Sequence, residues 1–284
     1  MRELFKEAIS SILMKITSEI AEVVGLWLAE GNNKCNNEIT FTNNCYDLVL
    51  YFDSILSKLF NIPNKRLYIY SAPNQKFPDL SSFSIVRSYQ DIRATKPYFI
   101  WRVASVKLMK DWKLLVEETM KHSENFPHVL RGYFAGEGNI KTGTHSNRVL
   151  RIAQKHEEEW ISNILDMLGI TYLFERSHRQ YNISGKWNWD IFAEHKLADL
   201  HPIKKDKFWR TYLSFKQQHY PHLYLHLKII SELDVPRTAS WLAKRCGRSQ
   251  DRVSEVLSEL KRNGKVTESR VGHTNHWCRL QEQT

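Results

Sequence analysis

Two glutamates, Glu30 and Glu137, end two stretches of this chain that share one pattern, residues 23–31 and residues 130–138. Each stretch is apolar for about two helical turns, has a small residue at its third and seventh positions, and ends in Glu followed by Gly. The two glutamates are 107 residues apart, the length of a small repeat unit. Paired carboxylates at close range are what a divalent-metal phosphodiester site requires, so we expect two halves that bring these acids together.

The small residues of the two stretches would let two helices approach each other closely. Gly25 and Gly132 are predicted to be the helix-packing positions, with Ala29 and Gly136 one turn further on. The alternative for Glu30 and Glu137 is a solvated helix C-terminus, which the helix dipole disfavours by roughly 0.3–1 kcal/mol for each acid. The same unfavourable placement occurs at both matched positions, which favours a functional role.

Both stretches resemble the LAGLIDADG motif of homing endonucleases, and the presence of two resembles the single-chain members of that family. Glu30 and Glu137 fill the acidic eighth position of the motif, and Gly31 and Gly138 fill the ninth. The resemblance extends over about residues 15–205. It implies an α+β fold in which tandem αββαββα units form a saddle that straddles double-stranded DNA, in a protein that acts as a monomer.

The resemblance also implies a chemistry, which is site-specific cleavage of both DNA strands to leave four-base 3′ overhangs. The expected cofactor is Mg²⁺, with Mn²⁺ able to substitute, because hard oxygen ligands suit these ions. Two further kinds of residue match family positions, lysines near the scissile phosphates and amides that position the attacking water. The metal site is placed at Glu30, Glu137, Ala29 and Gly136, the lysines are Lys107 and Lys196, and the amides are Gln154 and Asn43, with Asn44 as an alternative to Asn43.

The composition favours a nucleic acid as the partner. The 284-residue chain carries a formal net charge of +10, which favours a polyanion. No apolar run approaches the ~20 residues that a membrane span needs, and Glu3 and Glu7 argue against a signal peptide. The four cysteines have no paired spacing, so we expect an intracellular location, in the cytoplasm, with an organelle as the alternative.

Three domains are predicted, over residues 1–124, 125–219 and 220–284, of which the first two are the repeated units that the family resemblance implies. The first is expected to begin with a helix over 3–16 and to contain the first motif helix over 19–30. Its other elements are predicted as a strand over 39–42, a helix over 45–60, strands over 66–70 and 98–103 joined by a long polar loop, and a helix over 106–121.

The second domain is expected to repeat this order. Strands are predicted over 139–141, 147–153, 171–176 and 186–192, with helices over 155–168 and from 195 onward. Two internal alignments support the repeat. Residues 103–108 align with 192–197, which pairs Lys107 with Lys196, and residues 41–43 align with 152–154, which pairs Asn43 with Gln154.

DNA contacts are expected from two surfaces. The outward-facing strand residues are predicted to be Thr40, Thr42, Arg66, Tyr68, Arg151 and Arg176, since arginine is the commonest side chain at guanine edges. The third domain, with helices over 237–245 and 250–261 and a hairpin over 265–280, resembles a winged helix-turn-helix. Its predicted contacts are Gln250, Arg252 and Ser254 at the start of the second helix and Lys265, Arg270 and His273 on the wing.

Two other functions fit the same pattern. Certain transcriptional regulators resemble a LAGLIDADG domain fused to a helix-turn-helix and bind DNA without cutting it, although such proteins usually lack the acids. An RNA maturase that assists the splicing of its own intron would use the same saddle without the metal site. The retained glutamates favour the nuclease.

Overall fold

A computed structural model describes residues 16–215, apart from 63, 74, 76, 78–79, 81–82, 84 and 144–147, and residues 223–280, apart from 273. His273 lies outside these ranges, and so does the predicted helix over residues 3–16, except for its last residue. The chain forms two compact units, residues 1–216 and 217–284. Within the described ranges, none of the helices is both long and apolar enough to cross a membrane.

The first half of the larger unit is a four-stranded sheet covered on one face by helices. Its elements in chain order are α1 (Ser18–Glu30), β1 (Glu38–Asn43), α2 (Tyr46–Leu59), β2 (Arg66–Ser71), β3 (Ile85–Gln90), β4 (Tyr98–Ala104) and α3 (Val106–Lys121). The strand order is β1-β4-β2-β3, with β2 and β3 parallel and the other pairs antiparallel. The polar loop predicted between β2 and β4 was wrong in part, since it contains the strand β3. This edge strand was not predicted because its residues are nearly all exposed and show no alternation of apolar and polar side chains.

The second half is a four-stranded antiparallel sheet with the order β5-β6-β8-β7. Its elements are α4 (Phe126–Glu137), β5 (Gly138–Lys141), β6 (Val149–Ala153), α5 (Glu159–Met167), β7 (Leu173–Glu175), β8 (Gln180–Ser184), α6 (Lys186–Glu194) and α7 (Pro202–Leu213). The α+β class is therefore confirmed.

Two predicted elements of the second half were wrong. Residues 186–192 form α6 rather than a strand, because Gly185 turns the chain with φ +89° and the buried Trp189 and Phe192 lie three residues apart on one helical face. The last helix begins at Pro202 rather than at His195, since proline is favoured in a first helical turn.

The two halves are related but not identical. By strand order and register, β6 corresponds to β1, β8 to β4 and β7 to β2, which leaves β3 as an addition to the first half. In the second half, β5 begins at Gly138, which pairs with Ile152. At the equivalent place the first half has no strand and only a single bridge, between Gly31 and Phe41. The αββαββα order is therefore complete only in the second half.

Each half has its own apolar core, and the motif helices α1 and α4 lie between the two cores. Ala135 of α4 belongs to the core of the first half, and Ala21 of α1 belongs to that of the second. The packing of each half thus includes a residue from the other motif helix. This exchange fixes the positions of the helix ends that carry Glu30 and Glu137.

The smaller unit has a separate core and consists of α8 (Tyr224–Ser231), β9 (Arg237–Thr238), α9 (Ala239–Cys246), α10 (Gln250–Arg262), β10 (Val266–Val271) and β11 (Thr274–Arg279). Thr238 and Ser249 cap α9 and α10 with their side-chain oxygens. The strands form a three-stranded antiparallel sheet in the order β10-β11-β9. The order of helix, helix and hairpin is the predicted one.

Candidate active site

Gly25 and Gly132 lie at a close contact between the backbones of α1 and α4. A Cβ at Gly25 would lie 2.0 Å from the carbonyl oxygen of Val129, and one at Gly132 would lie 1.9 Å from that of Glu22. Both neighbours are backbone atoms, so neither can move away without a shift of its helix. The structure therefore places both predicted glycines at the contact between the helices.

One turn further on, the same contact brings the two helix ends together. A Cβ at Gly136 would lie 2.6 Å from the Cβ of Ala29 and 3.6 Å from Oε1 of Glu30. Glu30 and Glu137 are each the last residue of their helix. The two acids consequently belong to one junction, at which both helices end.

This junction concentrates negative charge. Burial, and then the neighbouring Glu137, raise the pKa of Glu30 to about 7. Burial also raises the pKa of Glu137. Both carboxylates lie at helix C-termini, where the helix dipoles add partial negative charge. Two acids in this position favour the binding of a cation.

Asn43, at the end of β1, contacts the first acid. Its Nδ2 donates a hydrogen bond to Oε1 of Glu30 at 3.3 Å, and its Oδ1 accepts one from the backbone N–H of Cys45 at 2.8 Å. The second bond fixes the orientation of the amide and so presents the donor to the carboxylate. Asn44, the alternative that the sequence offers, lines the adjacent cavity.

A cavity of about 620 Å³ opens beside Glu30. Its basic lining residues are Lys96, Lys204, Lys207 and His201, and Asn43 and Asn139 also line it. Burial lowers the pKa of His201 to about 4, so this side chain is neutral near pH 7. The lysines give the cavity the charge that a phosphate group needs.

Lys204 is the functional candidate that sequence analysis missed. It lies in the first turn of α7, which His201 caps by accepting a hydrogen bond from the N–H of Ile203. Its Nζ donates hydrogen bonds to three carbonyl oxygens at the end of α4, those of Phe134 at 3.0 Å, Ala135 at 2.6 Å and Gly136 at 2.7 Å. The dipeptide His201-Pro202 could have indicated the start of α7 from the sequence, because proline is favoured in the first turn of a helix.

Lys204 is close enough to the acids to affect their ionisation. Its positive charge opposes the rise in the pKa of Glu30 and of Glu137. Burial lowers the pKa of Lys204 to about 8, while the two glutamates act in the opposite direction. All three ammonium protons are used in the bonds to α4, which is the geometry of a charged lysine at a helix C-terminus.

The alignment that paired Lys107 with Lys196 was wrong. Lys107 lies in the first turn of α3, directly after β4, whereas Lys196 follows a helix, in a turn with φ +52°. By register, the residues that follow β4 correspond to those that follow β8, so the counterpart of this region begins at Gly185. Neither lysine is among the residues that line the cavity.

The register supports the other internal alignment. Phe41 pairs with Trp101 and Ile152 pairs with Tyr181, so Asn43 and Gln154 occupy equivalent places at the ends of β1 and β6. Their contacts differ, however. Oε1 of Gln154 accepts a hydrogen bond from the N–H of Lys155 at 2.9 Å, whereas Asn43 contacts a glutamate.

The donor set at the junction fits a divalent ion. Glu30 and Glu137 supply carboxylate oxygens, and the carbonyl groups of Ala29 and Gly136 lie at the same helix ends. Within the described ranges, His, Cys, Asp and Glu side chains form no cluster of three or more that could hold a metal. A site of two carboxylates supplemented by carbonyl oxygens and water suits Mg²⁺, which keeps several of its waters.

Most of the predicted strand contacts face away from the core. Thr40, Thr42 and Tyr68 are partly exposed, Arg66 is exposed, and buried residues alternate with them along β1 and β2. Arg151 is partly exposed on β6. Arg176 is exposed in the turn that follows β7, so its predicted place within a strand was wrong.

Sequence analysis also missed a row of tyrosines on the outer face of the first sheet. Tyr70 stacks on Tyr98 and on Tyr89 with ring centroids 5.0 Å apart in each case, and Tyr89 also stacks on Tyr68 at 6.2 Å. Arg102 lies over the ring of Tyr68 at 5.5 Å. Because β3 was not predicted, the position of Tyr89 beside β2 could not be expected.

The predicted contacts of the smaller unit lie around α10 and the hairpin. Gln250, Ser254 and Arg270 line a cavity of about 1050 Å³ between these elements. Arg252 is exposed and forms an ion pair with Glu255 at 2.8 Å. Lys265 is exposed immediately before β10.

Comparisons with known proteins find similarity among solved structures only. No family model matches the chain, and no curated protein matches it. Sixteen chains of solved structures match. Variants of the homing endonuclease I-DmoI are 18% identical, with 65% of this chain and 98% of theirs covered and a TM-score of 0.42. I-DmoI in complex with DNA and Ca is also 18% identical, with 68% and 97% covered and a TM-score of 0.42.

A third match, I-DmoI in complex with DNA and Mn, is 18% identical, with 70% of this chain and 98% of that chain covered and a TM-score of 0.37. These values describe a distant similarity.

Proposed function

We propose that this protein is a site-specific, divalent-metal-dependent DNA endonuclease of the LAGLIDADG homing type. The observation that carries the proposal is the junction of α1 and α4, at which two partly buried glutamates end two helices held in contact by Gly25 and Gly132. The raised pKa values of both acids indicate a site that favours a cation. The expected metal is Mg²⁺, with Mn²⁺ as a substitute.

Residues of the chain have distinct roles in this proposal. Glu30 and Glu137 hold the ion together with the carbonyl oxygens of Ala29 and Gly136, and the bound ion supplies Lewis-acid stabilisation of the phosphate. Asn43 orients the Glu30 carboxylate through its hydrogen bond. Two cavity lysines, Lys96 and Lys207, bind phosphate oxygens beside Glu30.

The outer faces of the two sheets are proposed to bind double-stranded DNA. The first face carries stacked tyrosines with Arg66 and Arg102, whereas the second carries Arg151 with Gln180 and Asn182. Because the two faces differ, they favour an asymmetric target in which each half-site is recognised by different chemistry. Cleavage of both strands is expected to leave four-base 3′ overhangs.

The smaller unit is proposed to be a winged helix that binds DNA through Gln250, Arg252 and Ser254 of α10 and through Lys265 and Arg270 of the hairpin. These residues are exposed or line the cavity beside the hairpin. A second DNA-binding unit in the same chain raises the effective concentration of the protein at its target and slows dissociation. The protein is proposed to act as a monomer, since one chain contains both motifs.

The experiment that tests this function separates binding from cutting. Duplexes that bind the protein tightly in EDTA are selected from a random pool, and Mg²⁺ or Mn²⁺ is then added. Double-strand breaks in the selected duplexes by the wild type, with none by the Glu30→Gln/Glu137→Gln variant, support the nuclease. Selective binding without breaks in either ion contradicts it and indicates a non-cleaving regulator.

A further inference from the structure

Arg102, on the outer face of the first sheet, is held by side chains from two other strands. Its Nε donates a hydrogen bond to Oε2 of Glu38 at 3.2 Å, and its Nη2 donates one to Oε1 of the same carboxylate. Its guanidinium also lies over the ring of Tyr68, 5.5 Å from the ring centroid. Since Glu38 belongs to β1, Arg102 to β4 and Tyr68 to β2, three strands together fix the direction of one side chain.

The ion pair with Glu38 uses one side of the guanidinium. An arginine has five N–H protons in one plane, and Glu38 accepts the Nε proton and one Nη2 proton. The remaining three include one Nη1 proton and one Nη2 proton that point in parallel from the end of the group. This terminal pair of donors matches O6 and N7 of guanine in the major groove. The Arg102 side chain is 39% exposed, so a ligand can reach it.

A second arginine lies directly opposite Arg102 on the same face. Arg66 of β2 is the register partner of Arg102 and is exposed. Like charges at directly opposite positions destabilise a sheet, so this pairing favours a role in binding a polyanion. The two arginines are held differently, because Glu38 and Tyr68 orient the guanidinium of Arg102 whereas the side chain of Arg66 extends into solvent.

An oriented arginine is better suited to a base edge than to the DNA backbone. A phosphate contact carries no sequence information and can be made by a mobile cation, whereas a base edge needs two donors in one plane. Ordering a mobile arginine at the moment of binding costs side-chain entropy, and Arg102 is already ordered. Glu38 also offsets part of the positive charge, which weakens the general attraction of Arg102 to phosphate.

The arrangement is specific to the first half of the larger unit. By strand register, Asn182 of β8 is the equivalent of Arg102. Val149 of β6 is the equivalent of Glu38. The second sheet therefore has neither the arginine nor the acid at these positions, and a base read by this pair belongs to one half-site only.

We propose that Arg102 determines specificity by binding O6 and N7 of one guanine in the half-site that the first sheet covers. Glu38 is the positioning residue that presents the Nη1 and Nη2 donors of Arg102, and Tyr68 limits the tilt of the guanidinium. This inference rests on the proposed binding of duplex DNA by the outer faces of the sheets, but it requires neither a metal ion nor cleavage.

The test uses the full chain in EDTA, so that binding is measured without cleavage. Duplexes are selected from a random pool by the wild type, Arg102→Lys, Arg66→Lys and Glu38→Gln, and the base preferences are compared position by position. Arg102→Lys keeps the charge but loses the planar pair of donors, and Arg66→Lys is the matched control from the opposite strand. Fluorescence anisotropy then measures binding of a selected duplex in which single guanines are replaced by 7-deazaguanine, which lacks the N7 acceptor.

We expect one position at which the wild type and Arg66→Lys require guanine and Arg102→Lys accepts any base. Exchange of this G·C pair for A·T should weaken wild-type binding by about 10- to 100-fold. Replacement by 7-deazaguanine should weaken it roughly 5-fold through the loss of one hydrogen bond, and neither change should affect Arg102→Lys. Glu38→Gln should lower the preference for guanine without weaker binding to unrelated duplexes, which a purely structural role would not produce.

Two results would overturn the inference while leaving sequence-specific DNA binding in place. One is a guanine preference that Arg102→Lys retains in full, or a loss of affinity in that variant that is equal for selected and unrelated duplexes, which assigns Arg102 to phosphate contact. The other is wild-type affinity that 7-deazaguanine leaves unchanged at every guanine of the site, a result that does not depend on the folding of any variant. A wild type that binds all duplexes of the pool equally would overturn the inference together with the proposed site-specific binding.

Discussion

Gly25 and Gly132 occupy equivalent positions in α1 and α4, and each is pressed against a backbone carbonyl of the other helix. A Cβ would approach these oxygens to 2.0 Å and 1.9 Å respectively. Glu30 and Glu137 each follow these glycines by five residues. The separation of the glycine pair therefore controls the separation of the acids at the helix ends.

Substitution of either glycine should separate the helices. We expect Gly25→Ala and Gly132→Ala each to lower the free energy of unfolding by about 2–4 kcal/mol, because an added carbon meets rigid backbone. Urea unfolding measures this change. Gly169→Ala is the control, since Gly169 has φ +69° with no other atoms within 4 Å of an added Cβ, and it should lose only about 1 kcal/mol. Equal losses in all three variants would contradict the close contact.

An ion pair between a buried glutamate and a partly buried arginine joins the two motif helices away from the acids. Oε1 of Glu22 accepts a hydrogen bond from Nη1 of Arg131 at 2.5 Å, and Oε2 accepts one from the hydroxyl of Tyr51 at 2.5 Å. Removing one partner leaves the other charge buried, so Glu22→Ala should lower stability by about 3–5 kcal/mol.

A double-mutant cycle with Arg131→Met identifies the source of this loss. We expect the double variant to be less destabilised than the sum of the two single variants, because the uncompensated charge is then absent. Strict additivity would show that the pair does not couple the helices.

The acids should make the metal-free protein less stable as pH rises. The pKa of Glu30 is about 7 in the folded state against an ordinary value of 4.5. Between pH 4.5 and 7 the folded state therefore holds a proton on Glu30 that the unfolded state has released. Stability is therefore lost as pH increases from about 4.5 to 7 and then levels off. Glu30→Gln removes this effect and should stabilise the protein at pH 8 by roughly 2 kcal/mol after allowance for partial exposure.

Chemical unfolding in EDTA at pH 5 and pH 8 tests this sign. The stabilisation by Glu30→Gln should be large at pH 8 and small at pH 5. A variant that is less stable than the wild type at pH 8 would show that Glu30 forms a favourable ion pair in the absence of metal.

The outer face of the second sheet offers a test of DNA recognition. Arg151→Ala should weaken binding to a selected duplex by about 1–3 kcal/mol and binding to unrelated duplexes much less, if the guanidinium contacts a base edge. Fluorescence anisotropy at one fixed salt concentration gives both values. Arg210→Ala is the matched control, because Arg210 is exposed on α7 and paired with Asp206. An equal loss on both kinds of duplex would assign Arg151 to phosphate contact.

Local patterns predicted the parts of the site that lie within single helices. The small residues and the acids of α1 and α4 recur at one spacing, and the structure places Gly25 and Gly132 at the helix contact and Glu30 and Glu137 at the junction where the helices end. Alternation along β1 and β2 likewise predicted which side chains face outward.

The rest depended on contacts between distant segments. Lys204, in the first turn of α7, is 67 residues beyond Glu137 and still reaches the end of α4, and no local pattern connects the two. Residues 186–192 were predicted to form a strand, although tertiary packing of Trp189 and Phe192 favours a helix there. Because 186–192 was taken as the last strand of the second half, the residues after it were wrongly aligned with those after β4, and Lys196 was paired with Lys107.

The role of the two glutamates is tested most directly by cleavage of a plasmid library with randomised sites in Mg²⁺, with the captured ends sequenced. We predict that the wild type produces double-strand breaks at one family of sites with four-base 3′ overhangs, and that Glu30→Gln/Glu137→Gln produces none while still binding the same sites. Breaks of equal frequency in the double variant would contradict the role of the two glutamates. Complete absence of breaks in the wild type, in Mg²⁺ and in Mn²⁺, would contradict the proposed endonuclease.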